Sequence, residues 1–298
     1  MKIALCIPVW KRHDLEKIVI RNFVSQSKKF GFEIIVAGSE GDLSKKLAKG
    51  CHYIEVENHP LSNKLNSLLA KANDLNVDGV VIMGSDDLVS DSYWSYIQTL
   101  RSDEDVYTGL KDIYFYSTSQ KQLGHWKGYR NGQQSAGAGR FYPKQVLDNV
   151  NWKLWDDGLF KGLDTNASQK LSKLKVSERI ISMEEANAYL IDVKHTLSIT
   201  NHAILKNCEI IDTEIMAKRV SKKVADQVAK LEVKPVEVVK VESKEIPRVN
   251  KVEKVVEVLN PMVDFKPNGN YKPLGNKVRN MSKEHATILV NKGFGDIV

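Results

Sequence analysis

Residues Gly79-Val-Val-Ile-Met-Gly-Ser-Asp-Asp-Leu88 carry an uninterrupted apolar run that stops at a glycine and then presents two adjacent carboxylates, Asp86 and Asp87. A short apolar run bounded by turn residues reads as a strand buried on both faces. Working toward the N-terminus, the same kind of run recurs in Ile3-Ala-Leu-Cys-Ile-Pro-Val9, over residues 32–37 and over 52–56, while residues 15–30, 43–49 and 61–72 read as helices. Strands alternating with crossover helices predict an α/β fold, a Rossmann-type, mostly parallel sheet with helices on both faces. In such sheets ligands collect at the carboxyl ends of the strands. Asp86 and Asp87 fall at one of those ends.

Toward the C-terminus the pattern loosens. Residues 106–116 have strand composition, and Gly124 to Gly139 holds five glycines in sixteen residues, with Trp126, Tyr129 and Arg140 in or beside it. That stretch reads either as a mobile binding loop or as an ordinary surface connection. Residues 214–230 can form a polar helix. Residues 231–259 then contain ten Val, six Glu, five Lys and two Pro, a composition that describes an extended low-complexity tail rather than a core. Valine and proline both disfavour a helix there. Residues 262–298 regain aromatics, and Ser282 is a good N-cap for a helix over 282–290. Thirty-seven residues are too few to bury a core alone. The expected organisation is a domain over 1–212, a polar helix and Val/Lys/Glu-rich linker or stalk over 213–260, and a C-terminal segment over 261–298 that docks on another protein or assembly.

Composition narrows the classes. With 298 residues, 42% hydrophobic and 27% charged, the chain is neither collagenous, mucin-like nor wholly disordered. Its length predicts one domain with an appendage, or two, because single cores stop growing near ~250 residues. Residues 1–212 hold 27 Lys and Arg against 26 Asp and Glu, and residues 213–298 hold 17 against 11, so +6 of the net +7 sits in the tail. The first part therefore carries no electrostatic footprint for duplex binding. Cys6, Cys51 and Cys208 are far apart and odd in number, which argues against a disulfide framework or a zinc knuckle and fits a reducing cytoplasm. No run reaches the roughly 18–20 apolar residues of a membrane helix. The basic cluster Lys11, Arg12 and His13 follows the first apolar run, where a signal peptide has its charge before.

Paired carboxylates at a strand's carboxyl edge can hold a hard divalent cation such as Mg2+ or Mn2+, which takes oxygen ligands together with substrate phosphates. Asp87 can equally cap a helix beginning near Ser90.

Taken together, the opening Ile7-Pro-Val-Trp-Lys-Arg12, Gly38-Ser-Glu40, Asn63-Lys-Leu-Asn66 and the Gly84-Ser-Asp-Asp87 strand end resemble a GT-A glycosyltransferase, family 2-like, over roughly residues 1–205. The resemblance implies a nucleotide-sugar donor with Pro8, Trp10 and Arg12 beside the nucleotide, and Glu40 with its neighbour Ser39 meeting the base. It implies Asn63, Lys64 and Asn66 facing the diphosphate, which needs cations and donors nearby; Lys64 reads as well as a solvated helix residue. The family's Asp-x-Asp aligns with Gly84-Ser85-Asp86, so its first acid is absent. Asp86 is then the metal carboxylate, with Ser85 at the donor and Asp87 as helper or cap.

Farther along, Trp155-Asp-Asp-Gly-Leu-Phe-Lys-Gly-Leu-Asp164 resembles the acceptor-side segment of inverting members. There a carboxylate takes the proton of an acceptor hydroxyl. Asp164 is the candidate base or else a helix N-cap, and Asp157 is the alternative base. His195 resembles the late histidine that completes the metal site, although a lone histidine after a strand is often structural. Gly137, Gly139 and Arg140 resemble the turn flanking the acceptor pocket. Trp126, Trp152 and Trp155 can stack on sugar faces or pack in the core.

The resemblance thus implies a metal-assisted glycosyltransferase acting on an unidentified glycan, protein or modified nucleic acid, in the cytoplasm that the cysteines suggest, with a phage origin, and then a host-cytoplasmic or virion-associated location, as further expectations. Two other classes remain open: a non-catalytic glycan-binding or structural protein on the same scaffold, and a nucleotidyltransferase. The latter usually carries a Gly-rich phosphate loop after its first strand, where this chain has Pro8-Val-Trp-Lys-Arg-His13.

Overall fold

The structure is a computed structural model that describes residues 1–129, 132–195 and 202–231, together with the strands 262–267, 279–282 and 295–297. The chain forms two compact units, Met1–Glu237 and Val238–Val298.

In the first unit the strands are β1 (Ile3–Pro8), β2 (Glu33–Gly38), β3 (His52–Glu55), β4 (Gly79–Ile82), β5 (Asp87–Val89), β6 (Val106–Leu110), β7 (Ile113–Ser117), β8 (Gln122–Trp126), β9 (Arg140–Pro143), β10 (Ser177–Ile181), β11 (Leu190–Lys194) and β12 (Glu209–Ile211). The helices are α1 (His13–Phe30), α2 (Asp42–Leu47), α3 (Leu61–Asp74), α4 (Asp91–Ile97), α5 (Lys144–Asn149), α6 (Leu163–Lys173), α7 (Glu214–Arg219) and α8 (Lys222–Ala229).

Seven strands form the main sheet in the order β10-β6-β9-β4-β1-β2-β3. Pairs β1/β2, β1/β4, β2/β3 and β10/β6 are parallel, and only β9 runs against its neighbours. The two-residue period of a strand sends alternate side chains to opposite faces, and β1 shows the result. Ile3, Leu5 and Ile7 enter one core with α1, and Ala4 and Cys6 enter the other with α3. Helices therefore cover both faces, as the alternation of runs predicts. On α1 the stripe Leu15, Val19, Ile20 and Phe23 faces the sheet, and Gly31 at φ 74° ends the helix with its amide on the Ser27 carbonyl, a left-handed stop that suits glycine.

A second sheet, β12-β8-β7-β11-β5, lies within the same unit. The expected strand over 106–116 is divided here. Residues 106–110 belong to the main sheet as β6, and the chain turns at Lys111-Asp112 so that β7 starts the second sheet. The charged pair Lys111-Asp112 interrupts the apolar run at the break, but the buried residues on either side do not reveal that the two strands join different sheets.

The helices after Thr213 pack onto the first unit instead of standing apart from residue 213. Met216, Val224, Ala225 and Val228 are buried in the α1-side core, and Ser221 caps α8 by accepting from the Val224 amide at 3.2 Å. The first unit accordingly extends to Glu237. Of the stalk, residues 232–261 lie outside the described residues. The second unit contains β13 (Met262–Pro267), β14 (Arg279–Ser282) and β15 (Gly295–Ile297), an antiparallel sheet in the order β14-β13-β15. Ser282 closes β14, and the rest of the helix expected over 282–290 lies outside the described residues. No helix among the described residues is long and apolar enough to cross a membrane.

Candidate active site

The parallel register of β1 with β4, from Ile3 opposite Gly79 to Cys6 opposite Ile82, brings the carboxyl ends of both strands to one edge. A cavity of about 1270 Å³ opens there, lined by Pro8, Val9 and Trp10 from the end of β1 and by Met83, Gly84 and Ser85 from the end of β4.

Asp86 and Asp87 follow at once. The helix cap at Ser90 is made by Ser90 itself, which accepts from the Tyr93 amide, so Asp87 is not the cap. Asp87 instead opens β5 and lies opposite Asp192 in the antiparallel β5/β11 ladder. The Val193 amide donates to the Asp86 carbonyl at 2.8 Å. Carboxylate oxygens of Asp86, Asp87 and Asp192 all come within 4.8 Å of one another. Gly84 permits this convergence: a Cβ there would sit 2.6 Å from Asp86 Oδ1 and 3.0 Å from Asp87 Oδ2. The Gly84 amide donates to Asp87 Oδ2 at 2.5 Å. Position 84 therefore supplies space and an amide to the cluster, and a different strand supplies its third acid.

Three carboxylates in one place repel. Burial, with Asp192 and Asp86 adding to it, holds Asp87 well above the usual carboxylate range. Burial likewise pushes Asp192 up to about 6, opposed by Lys194 and reinforced by Asp86. Two cations offset the cluster: the Arg12 guanidinium pairs with Asp86, and Lys194 Nζ lies 2.5 Å from Asp192 Oδ2. Burial alone would lower the Arg12 pKa, but Asp86, with Glu16 and Asp192 adding to it, makes the net shift upward. Asp192 Oδ1 is buried and has no hydrogen-bond partner among the described residues. Converging oxygen donors with an orphaned buried oxygen fit a hard divalent cation.

Glu16, fully buried on α1, lies beneath this edge. Its Oε1 accepts from the Trp10 amide at 2.7 Å and from Ser85 Oγ at 3.1 Å, and burial raises its pKa. It ties the ends of β1 and β4 together.

The polar residues of α3 are engaged differently. Lys64 is fully buried, and its ammonium donates to Val9 O, Asn58 Oδ1 and Ser39 Oγ at 2.8, 3.2 and 3.3 Å. Burial lowers its pKa to about 8. Asn66 closes a two-way pair with the Trp155 backbone, donating to its carbonyl at 2.8 Å and accepting from its amide at 3.2 Å. Asn63 accepts from the Gly158 amide. Glu40 accepts from the Lys11 amide and pairs with His13, both at 2.9 Å. Burial opposes the resulting shift, but those partners carry Glu40 below its ordinary pKa.

Farther along the chain, Asp164 lies in the first turn of α6, whose N-cap is Gly162 at φ 73°, so the cap alternative does not hold. Asp164 lines the cavity and accepts no hydrogen bond from the described residues. Gly137 makes room for it, since a Cβ at 137 would overlap the Asp164 carboxylate. Asp157 is exposed and paired with Lys153 at 2.6 Å. Arg140 is buried to 1% exposure, with its guanidinium on Ser135 Oγ, Ser135 O and Ala136 O. Gly139 at φ 74° packs against Leu190. Trp126 and Trp155 line the cavity, whereas Trp152 is in the α3-side core with its indole N–H on Asp148.

Of the sequence candidates, Pro8, Trp10, Arg12, Lys64, Ser85, Asp86, Asp87, Gly137, Trp155 and Asp164 line the cavity among the described residues. Ser39, Glu40, Asn63, Asn66, Gly139, Arg140, Asp157 and His195 do not. His195 follows β11, and the acid cluster takes its third member from Asp192, three residues earlier. Sequence reasoning missed both Asp192 and Lys194. The signal was present in Ile191-Asp-Val-Lys194, where two charges interrupt a strand that is otherwise apolar. Two exposed aromatics also line the cavity: Phe160, outside the expected site residues, and Tyr129, which the sequence reading placed in the glycine-rich candidate loop; His59 stands between Trp10 and Phe160, with ring centroids 5.7 Å from each.

No protein-family model matches the chain, and no curated protein matches it in sequence. Similar solved structures include a mannosyltransferase from Pyrobaculum calidifontis in complex with GDP-Man and Mn2+, with 14% identity, 76% of this chain and 68% of that chain covered, and a TM-score of 0.46. A glycosyltransferase involved in glycosylation of the major capsid of PBCV-1 is 13% identical over 64% of this chain and 93% of that chain, with a TM-score of 0.41. The inositol-1-phosphate CTP transferase from T. maritima is 13% identical over 77% and 97%, with a TM-score of 0.40. The likeness is one of fold alone, a mixed α/β, mostly parallel sheet with helices.

Proposed function

We propose that the chain is a glycosyltransferase that moves a sugar from a nucleotide-sugar donor to an acceptor hydroxyl, with inversion and with the help of Mn2+ or Mg2+. One observation carries this reading. A single cavity at the strand ends is lined both by a converging acid cluster flanked by Arg12 and Lys194 and by a separate, uncommitted carboxylate, Asp164.

Asp86, Asp87 and Asp192 would hold the cation, which supplies charge neutralisation for the departing diphosphate. Arg12 and Lys194 add fixed positive charge at the same end, in a partly water-excluded setting where it acts more strongly than in bulk water. Asp164 takes the acceptor's proton as the acceptor oxygen bonds to the anomeric carbon. The bond from that carbon to the phosphate oxygen breaks, and its electron pair leaves with the nucleoside diphosphate. Trp155 and the rim aromatics Trp10 and Phe160 give the cavity apolar walls for base or sugar rings.

A thermal-shift screen of the full chain with UDP-, GDP-, CMP- and dTDP-sugars, each with Mn2+, Mg2+ or chelator, tests the donor half, because a ligand of the native state raises the midpoint. The expected result is a shift for one nucleotide class that disappears with chelator and in Asp86→Ala. Absence of any shift in the folded protein would sink the transferase.

The second reading, a non-catalytic glycan-binding scaffold, is favoured by the two internal ion pairs, which already offset much of the acid cluster's charge. It predicts glycan binding with no nucleotide dependence. A nucleotidyltransferase would instead release pyrophosphate from a nucleoside triphosphate and a sugar phosphate, and the same protein assayed for both products separates these activities.

A further inference from the structure

The two cations on the acid cluster are held in different ways, and the inference drawn from this rests on the donor and cation reading above. Lys194 belongs to β11, is 5% exposed, and carries its ammonium 4.9 Å from the centre of the Phe115 ring while it meets Asp192. Arg12 occupies the N-cap position of α1, on the connection leaving β1, and its side chain lines the cavity. One guanidinium nitrogen, Nη1, donates to Asp86 Oδ2, and the other, Nη2, donates to Ser85 Oγ at 2.9 Å.

A divalent cation approaching Asp86 competes with Nη1 for the same carboxylate, and at such separations the two like charges repel. Lys194 also lines the cavity, but its side chain is 5% exposed against 15% for Arg12 and is packed on Phe115. Arg12 has the cavity in front of it, and its planar fork matches phosphate oxygens as well as it matches a carboxylate. We propose that Arg12 is an exchangeable counter-ion: it holds Asp86 before ligands arrive, yields that oxygen to the divalent cation, and passes to the diphosphate of the nucleotide. Cation and nucleotide binding are then coupled, and by linkage each strengthens the other by the same factor.

The test is calorimetric titration of the full chain with Mn2+, alone and with saturating UDP, GDP or CDP, for the wild type and Arg12→Gln. In the wild type Mn2+ alone binds weakly, and the matching nucleotide tightens it about tenfold or more. In Arg12→Gln, Mn2+ alone binds about tenfold more tightly than in the wild type, and nucleotide tightens it several-fold less than in the wild type, the remaining coupling coming from direct phosphate–cation contact. The proposal is overturned if Arg12→Gln, folded by circular dichroism, binds Mn2+ no more tightly than the wild type while both bind it; the cation reading then survives. If neither protein binds Mn2+ with any nucleotide, the cation reading fails and the exchange fails with it. Should Arg12→Gln not fold, Arg12→Lys takes its place, because an ammonium lacks the two-point fork: coupling several-fold weaker than in the wild type supports the exchange, and undiminished coupling overturns it.

Discussion

Asn66 on α3 and Asp192 on β11 are both half-buried polar side chains near the same strand edge. Asn66 gives and accepts a hydrogen bond with the Trp155 backbone, and in doing so fixes the segment that leads to Asp164. Asp192 keeps one oxygen buried without a partner among the described residues and has its pKa pushed up by burial. Lys64 belongs with Asn66: three oxygens from three connections share its ammonium. The contrast separates polar groups that hold the cavity's shape from groups with bonding capacity left for a ligand. A buried polar atom without a partner is costly; Glu16, Asn22 and Trp155 also carry one among the described residues, and the one on Asp192 offers capacity for a ligand because it lies in the converging acid cluster.

Substitutions can break this division. The largest expected effect is at Asp164. Asp164→Asn keeps the donor-induced thermal shift and lowers turnover by about 10²–10⁴-fold, the usual contribution of a general base; unchanged nucleoside diphosphate release would remove Asp164 from that role. Next, Asp192→Asn abolishes the Mn2+ dependence of the donor shift while the protein stays folded, and a retained Mn2+ response would return the third ligand to another residue.

On the architectural side the signs reverse. Asn66→Ala strands the Trp155 amide and carbonyl and lowers unfolding free energy by about 1–3 kcal/mol, read by urea denaturation, with donor affinity nearly unaltered in the surviving fold. A large affinity loss without a stability loss would put Asn66 at the donor instead.

The smallest effect concerns pH. Lys64 has a folded pKa of about 8 against 10.5 for the ordinary side chain, so between those values the unfolded chain binds more protons than the native one. Stability then rises with pH across that window, and the penalty is fully present below it. Comparing wild type with Lys64→Met from pH 7 to 10.5 isolates the contribution, because the variant lacks that rise. An equal rise in both proteins would show that Lys64 is not desolvated.

Much of the fold was legible because buried parallel strands announce themselves as apolar runs and their helices as periodic stripes. The runs at residues 3–9, 32–37 and 79–83 and the helices at 15–30 and 61–72 correspond to β1, β2, β4, α1 and α3. The charges Lys111-Asp112 mark a break between β6 and β7 in the sequence, but that the two strands join different sheets was not legible, since both are apolar and only the choice of sheet distinguishes them. The acid pair was visible for the same reason as the strands: two charges directly after an apolar run stand out locally.

What the sequence determined by itself is this local grammar, which places Arg12, Ser85, Asp86 and Asp87 at strand ends because strand boundaries depend on neighbouring residues. The pairing of Asp192 with Asp87 was decided only by the tertiary structure, through the antiparallel meeting of β11 with β5, two segments about a hundred residues apart whose register no local pattern encodes. It also decided that Arg140 would be buried behind the cavity and that Asp164 would reach into it through the space left by Gly137. Side-chain direction and steric clearance depend on what packs alongside, and that neighbour is set by the fold.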